Sequence, residues 1–344
     1  MNDYNIIGID LAKNIMHLVQ VNKTGKKVAH KKLKRDELLH YLSSIDKDTI
    51  VAMEACSGCN YWSQAISKLG LQVKLMKTKD VKVYAKSKQK NDYNDGLAIC
   101  KAAMDPELKV VRAKGREDQD ISFLHKSRMN TIKDRVQRTN SLMSSLYEFG
   151  YVTKLSKSVF CRECANEVTQ AYEEHRLSER IHSILLRDCN EIKELCEKEK
   201  YLDKLIAACN KQNKKAVKLQ KIMGIGPINA SCLSIAPVET YPTPRDFSAS
   251  LGLVPRQNTS GDKVYLGSIT KQGDRYARTM LIQAGRSIAM RARVVKEPKD
   301  KLLQWAQKKF AEKKPFNVIC VGLANKLARI AYSVIINGTE YEAI

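Results

Sequence analysis

Asp10, Glu54, Asp92 and Asp95 are the residues whose type and placement could do chemistry. Asp10 closes the apolar run 4–10 and Glu54 closes the run 49–54, each short enough to be a buried β-strand. Asp92 and Asp95 open a run that continues to Met104 and, three residues apart, share one face of a helix's first turn. Taken singly, each has an ordinary role: an acid at a helix start complements the dipole, and a strand end is commonly solvated. Taken together, on neighbouring strand ends and a helix start, four carboxylates would repel one another unless a cation sat among them. An all-oxygen donor set suits Mg²⁺ or Mn²⁺, and paired ions of this kind clamp both the attacking and the leaving oxygen in phosphoryl transfer. A divalent-metal site at these four residues is therefore expected.

A second group lies far along the chain. Residues 219–235 read as helix, Gly-Ile-Gly-Pro turn and helix, with Gly224 and Gly226 able to bring backbone N–H groups near a ligand and Pro227 suited to a first helical turn. Lys215, Lys218 and Lys221 precede that turn, so a helix-hairpin-helix-like grip on a phosphate backbone is expected there. Ser260 follows, flanked by Arg256, Lys271, Arg275 and Arg278. As composition alone, a Ser-Gly step in a basic loop is usually only a turn.

The elements that must hold these groups divide the chain in three. Strands at 4–10, 16–21, 26–33, 49–54 and 72–76, with helices at 36–45, 61–69 and 92–104, describe an α/β sheet with helices on its faces. Residues 116–149 and 178–209 carry apolar side chains at spacings of three and four, as long amphipathic helices do. The second is a coiled-coil candidate without a clean heptad, which leaves both intramolecular packing and self-association open. The remainder is mainly helical, with a short helix at 247–252, a strand at 263–266 and a basic helix at 275–291. The fold class is thus α/β followed by α, divided as 1–115, 116–215 and 216–344.

Sixty Lys and Arg against 37 Asp and Glu give a net charge of +23. Residues 211–315 alone carry 21 basic against 7 acidic side chains. Such an excess favours a polyanionic partner, because each neutralised phosphate releases a condensed counterion. Ten cysteines without a leading hydrophobic segment point to reduced thiols in a cytoplasm. Cys56-x-x-Cys59 and Cys161-x-x-Cys164 lie about a hundred residues apart, outside the usual spacing of zinc sites, so structural zinc is not expected. The nearest approach to a membrane span, 316–336, is interrupted by Lys326 and Arg329, and no membrane association is expected.

Ile6-Ile7-Gly8-Ile9-Asp10, Ala52-Met53-Glu54-Ala55-Cys56-Ser57-Gly58 with Tyr61-Trp62, and Lys90-Asn91-Asp92-Tyr93-Asn94-Asp95-Gly96 resemble the DEDD catalytic blocks of the insertion sequence 110 family of transposases, which is related to the pilin-type DNA invertases. Gly96 departs from that pattern, which more often has Ala. Gly252-Leu253-Val254-Pro255-Arg256-Gln257 through Ser260-Gly261, and Gly267-x-Ile269-Thr270-Lys271-x-Gly273-Asp274-Arg275-x-x-Arg278, resemble the same family's transposase domain. The resemblance implies an RNase H-like (RuvC-like) front domain, divalent metal at the four carboxylates, and Ser260 as a nucleophile that forms a covalent phosphoserine–DNA intermediate. It also implies donor and target DNA as substrates, a structured bridge RNA as guide, and a homo-oligomer, a dimer or tetramer. No histidine follows His182, so a serine–histidine pair local to the back domain is excluded, and Tyr265 and Tyr276 lack the histidine partners of a tyrosine recombinase. A RuvC-like nuclease using water, a DNA invertase without an RNA guide, and a non-catalytic nucleic-acid-binding protein are the rival readings.

Overall fold

The computed structural model describes residues 5–85, 91–261 and 263–342. Tyr4 and Lys90, which fall within the runs read above, lie outside them. The chain forms two compact units, Met1–Glu117 and Asp118–Ile344.

The first unit is built on a five-stranded mixed sheet of order β3-β2-β1-β4-β5, from β1 (Ile6–Asp10), β2 (Ile15–Val21), β3 (Lys27–Lys34), β4 (Ile50–Glu54) and β5 (Gln72–Met76). β1, β2 and β3 pair antiparallel, as a tight hairpin path allows, and β4 and β5 join parallel to β1 through helical crossovers. The helices are α1 (Glu37–Ser43), α2 (Cys59–Lys68), the single turn α3 (Thr78–Val81) and α4 (Asp92–Met104). β1 is nearly continuous in burial because both its faces are covered. Ile7, Ile9 and Met53 pack toward α1 and α2 with Leu38, Trp62 and Ile66, whereas Ile6, Val19 and Ala52 pack toward α4 with Ala98, Ile99 and Ala103.

α4 lies against β1 and β2 because two glycines let it. A Cβ on Gly8 would stand 2.5 Å from the Gly96 carbonyl oxygen and 2.7 Å from Cys100 Sγ. A Cβ on Gly96 would stand 2.7 Å from Val19 Cγ2. Gly8 N–H donates to Cys100 Sγ at 3.1 Å, and that thiol donates to the Val19 carbonyl at 3.3 Å, so a buried thiol fastens the helix to the strands. Glycine at position 96, where the family pattern more often has alanine, thus matches the crowding by Val19.

The second unit holds α5 (Arg116–Glu148, whose first two residues fall in the first unit), α6 (Lys157–Glu173), α7 (Glu179–Gln212), α8 (Lys214–Leu219), α9 (Pro227–Ser234), α10 (Pro244–Ser250), the ribbon β6 (Pro255–Ser260) and β7 (Lys263–Ile269), α11 (Arg275–Ala292), α12 (Lys301–Ala311) and α13 (Phe316–Asn337). α5 and α7 are laced in antiparallel order by Arg128–Asp203 at 2.5 Å, Arg135–Glu199 at 3.0 Å and Arg138–Glu191. Their ends share a core with α6, where Leu142, Leu146, Phe160, Val168, Leu185 and Ile192 are buried together. Cys161 and Cys164 belong to this core and meet Cys189 and Cys196 of α7. α6 and the strand β6 do not stand out in the sequence. α6 has no Leu, Ile or Met, and β6 is wholly exposed, without hydrophobic alternation. α13 is long and apolar enough to cross a membrane by composition. Its Ile319, Leu323, Leu327, Ala331 and Val334 are instead buried in the core it shares with α11.

Candidate active site

β1 and β4 are parallel neighbours in the register Ile9↔Met53, so Asp10 and Glu54 emerge side by side at their carboxyl ends. Asn91 is the N-cap of α4, its side chain accepting from Asn94 N–H at 2.8 Å, and this fixes Asp92 and Asp95 in the first turn. The carboxyl of Glu54 is held above the usual carboxylate range. Burial is the main cause, and the charges of Asp10 and Asp95 add to it, against a hydrogen bond from Thr78 and the nearby Lys82. Three of the four acids therefore feel one another. Asp92 is engaged elsewhere: its Oδ2 lies 3.1 Å from His17 Nε2, on the strand position that pairs with Asp10.

Among the described residues, no three His, Cys, Asp or Glu side chains converge closely enough to enclose a metal ion by themselves. The chemistry of the set still fits a hard divalent cation. The donors are all oxygen, and the charges of Asp10 and Asp95, which add to the effect of burial in raising Glu54, are what a cation between the carboxylates would offset.

In the second unit Ser260 is the last residue of β6, paired with Lys263 across the tip of an exposed ribbon, and Gly261 takes the left-handed conformation the turn needs (φ 57°). Arg256, Lys271 and Arg275 are exposed near it in sequence. Arg278 is buried at 8% exposure, and its guanidinium donates to the Leu251 and Gln272 carbonyls at 3.0 and 2.7 Å. It braces the base of the ribbon and does not face solvent. Asp274 caps α11, accepting from the Tyr276 and Ala277 N–H groups at 2.8 and 3.0 Å.

The glycine turn before α9 is present, but its parts are used differently. Gly224 needs its left-handed φ of 82°, and a Cβ there would meet Ile288 Cδ1 at 2.7 Å, so it serves packing against α11. Gly226, the N-cap of α9, has open space around it. Lys221 pairs with Glu340 at 2.5 Å, Lys215 pairs with Glu239 at 2.6 Å, and Lys218 donates to the Gly338 carbonyl. These three lysines are tied to the protein's own groups.

The back domain has no histidine of its own, but one from α5 meets two of its hydroxyls. His125 of α5 reaches Tyr276 Oη at 3.0 Å through Nδ1 and Ser231 Oγ at 3.0 Å through Nε2. His125 is 4% exposed and Ser231 fully buried, so this serine–histidine pair has no access to substrate and ties α5 to α9 and α11. Burial pushes the Tyr276 hydroxyl up to about 12, which disfavours it as a nucleophile.

Two family models and several full-length relatives match the chain. A transposase domain of the DEDD type matches residues 7–150, and a domain described as Transposase IS116/IS110/IS902 family matches residues 216–300. The chain is 34% identical over 343 residues to the transposase for insertion sequence element IS1328 of Yersinia enterocolitica, covering 99% of both chains. It is 32% identical to a probable family 20 transposase of Pseudomonas aeruginosa, covering 97% of this chain and 98% of that one. The transposase for insertion sequence element IS1111A of Coxiella burnetii is also 32% identical, with 99% of this chain and 92% of that one covered. The protein is a transposase, an enzyme that cuts and joins DNA. It belongs to the IS116/IS110/IS902 family of insertion-sequence transposases.

Proposed function

We propose that this transposase works through a covalent phosphoserine intermediate. The carrying observation is the placement of Ser260 at the tip of an exposed ribbon, as the last residue of β6, with the exposed Arg256, Lys271 and Arg275 near it in sequence. The Ser260 hydroxyl attacks a DNA phosphate: the Oγ–P bond forms, the bond from phosphorus to one deoxyribose oxygen breaks, and the hydroxyl proton leaves toward solvent or that departing oxygen. The phosphodiester energy is conserved in the new ester, so a second DNA hydroxyl can reverse the step on a different strand. Arg256, Lys271 and Arg275 would offset charge on the phosphoryl oxygens, with Gly226 offering backbone to a neighbouring phosphate.

Asp10, Glu54 and Asp95, with Asp92 beside them, would hold Mg²⁺ or Mn²⁺. When bound, that ion supplies Lewis-acid stabilisation of phosphate charge. The strand order β3-β2-β1-β4-β5 with carboxylates on adjacent strand ends supports an RNase H-like (RuvC-like) assignment for the first unit. The family resemblance and the +23 charge support a structured bridge RNA as guide, and strand exchange between two duplexes supports a dimer or tetramer acting in the cytoplasm. The test of the site is a cleavage assay beside a binding assay. Asp10→Asn and Glu54→Gln are expected to lose cleavage in Mg²⁺ by more than a hundredfold while binding duplex DNA as the wild type does. Full cleavage by Asp10→Asn would remove the carboxylates from the reaction.

A further inference from the structure

We propose that α11 carries a second DNA-docking surface, a stripe of arginines that extends from the serine ribbon to the α12–α13 corner and grips the phosphate backbone of a duplex. The proposal rests on the reading of the Ser260 ribbon as DNA-facing and goes beyond it in assigning Arg286 and Arg293, which no motif of that ribbon includes.

α11 has no Asp or Glu anywhere between Arg275 and Ala292. Arg275, Arg286 and Arg293 are separated by 11 and 7 residues, close to three and two whole helical turns, so they fall on one line along the helix. All three are exposed. The line spans about 27 Å at 1.5 Å per residue, somewhat less than one turn of B-DNA at roughly 34 Å. Among the described residues no carboxylate lies within ion-pair distance of any of the three. Uncompensated cations in a row repel one another, and a fold with acids available elsewhere leaves such a row where a polyanion completes it.

The far end is held in place by aromatic rings. The Arg293 guanidinium lies 4.9 Å from the Phe310 ring centre and 4.6 Å from that of Phe316, and Arg286 lies 5.9 Å from Phe316. Phe310 and Phe316 stack with centres 6.4 Å apart. Guanidinium groups stacked in this way keep their N–H edges free to bind phosphate in a fixed direction. Lys313 and Lys314, both exposed at the turn between α12 and α13, extend the positive surface beyond Arg293. Continuity with Arg275, beside the ribbon, selects the DNA duplex as the occupant.

The experiment measures binding of the full chain to a 30-base-pair duplex (a length of about three helical turns) by fluorescence anisotropy across a KCl series. Arg286→Gln/Arg293→Gln is expected to lower the slope of log affinity against log salt by about 1.8, at about 0.9 for each phosphate no longer neutralised. Arg286→Lys/Arg293→Lys is expected to restore most of it, which a merely structural role for the two arginines would not do. Ser260→Ala, whose loss of cleavage tests the ribbon separately, should keep the wild-type slope. A slope unchanged in the Gln variant overturns the proposal, and so does a slope lost on a hairpin RNA of equal length but kept on the duplex. Failure of the wild type to bind the duplex overturns both this surface and the DNA-facing ribbon.

Discussion

Replacing Gly96 by Ala sets two effects against each other on α4. Alanine is the better helix former by about 0.8–1 kcal/mol, so on an open face the change would stabilise. At this position the added Cβ would lie 2.7 Å from Val19 Cγ2 and 3.3 Å from Val19 Cβ. Val19 is fully buried on β2, and its branched side chain has little rotamer freedom with which to give way. Overpacking of this kind costs about 1–3 kcal/mol. Gly96→Ala alone is therefore expected to destabilise the first unit by roughly 0–2 kcal/mol. With Val19→Ala the obstruction is gone and the helix gain emerges, so the same substitution changes sign and stabilises by about 1 kcal/mol. Urea unfolding of the four proteins, followed by far-UV circular dichroism through the first unit's transition, gives a coupling of about 1–3 kcal/mol. Equal stabilisation in both backgrounds would mean that α4 is not seated closely on β2, and the placement of Asp92 and Asp95 beside Asp10 would lose its support.

Two further outcomes follow from the same geometry. Because the folded protein raises the Glu54 carboxyl, its protonated form is favoured: that stability is full below the unfolded value and is lost as pH rises through the folded one. In metal-free buffer Glu54→Gln should therefore raise the melting temperature at pH 8 and leave it unchanged at pH 4, and an equal effect at both pH values would refute the raised carboxyl. Mixing Asp10→Asn protein with Ser260→Ala protein, each inactive alone, should restore part of the cleavage if active sites are shared between subunits; no recovery after demonstrated subunit exchange would assign each site to one chain.

The sequence carried the candidate site residues more clearly than their settings. The strands ending in Asp10 and Glu54 were legible because β1 and β4 are short apolar runs stopped by a carboxylate, and the sheet makes them parallel neighbours. The helix start at Asp92 was legible from its two spaced acids. The attachment of Asp92 to His17 was not, since it joins residues 75 positions apart through a side-chain contact. Arg278 and Lys221 read as surface cations by charge, yet one serves buried carbonyls and the other the Glu340 carboxylate. Charge in a sequence does not say whether a cation faces solvent or its own chain. His125 escaped for a similar reason: its partners Ser231 and Tyr276 come from elements more than a hundred residues away.

The central claim is that Ser260 becomes bonded to DNA. Incubating the protein with end-labelled element DNA in Mg²⁺, quenching with detergent and running a denaturing gel reads this directly. The expected result is a labelled protein–DNA adduct, stable to denaturation, mapped to Ser260 by mass spectrometry and absent from Ser260→Ala. Cleaved DNA ends with no adduct, or an adduct mapped to Tyr265, would contradict it.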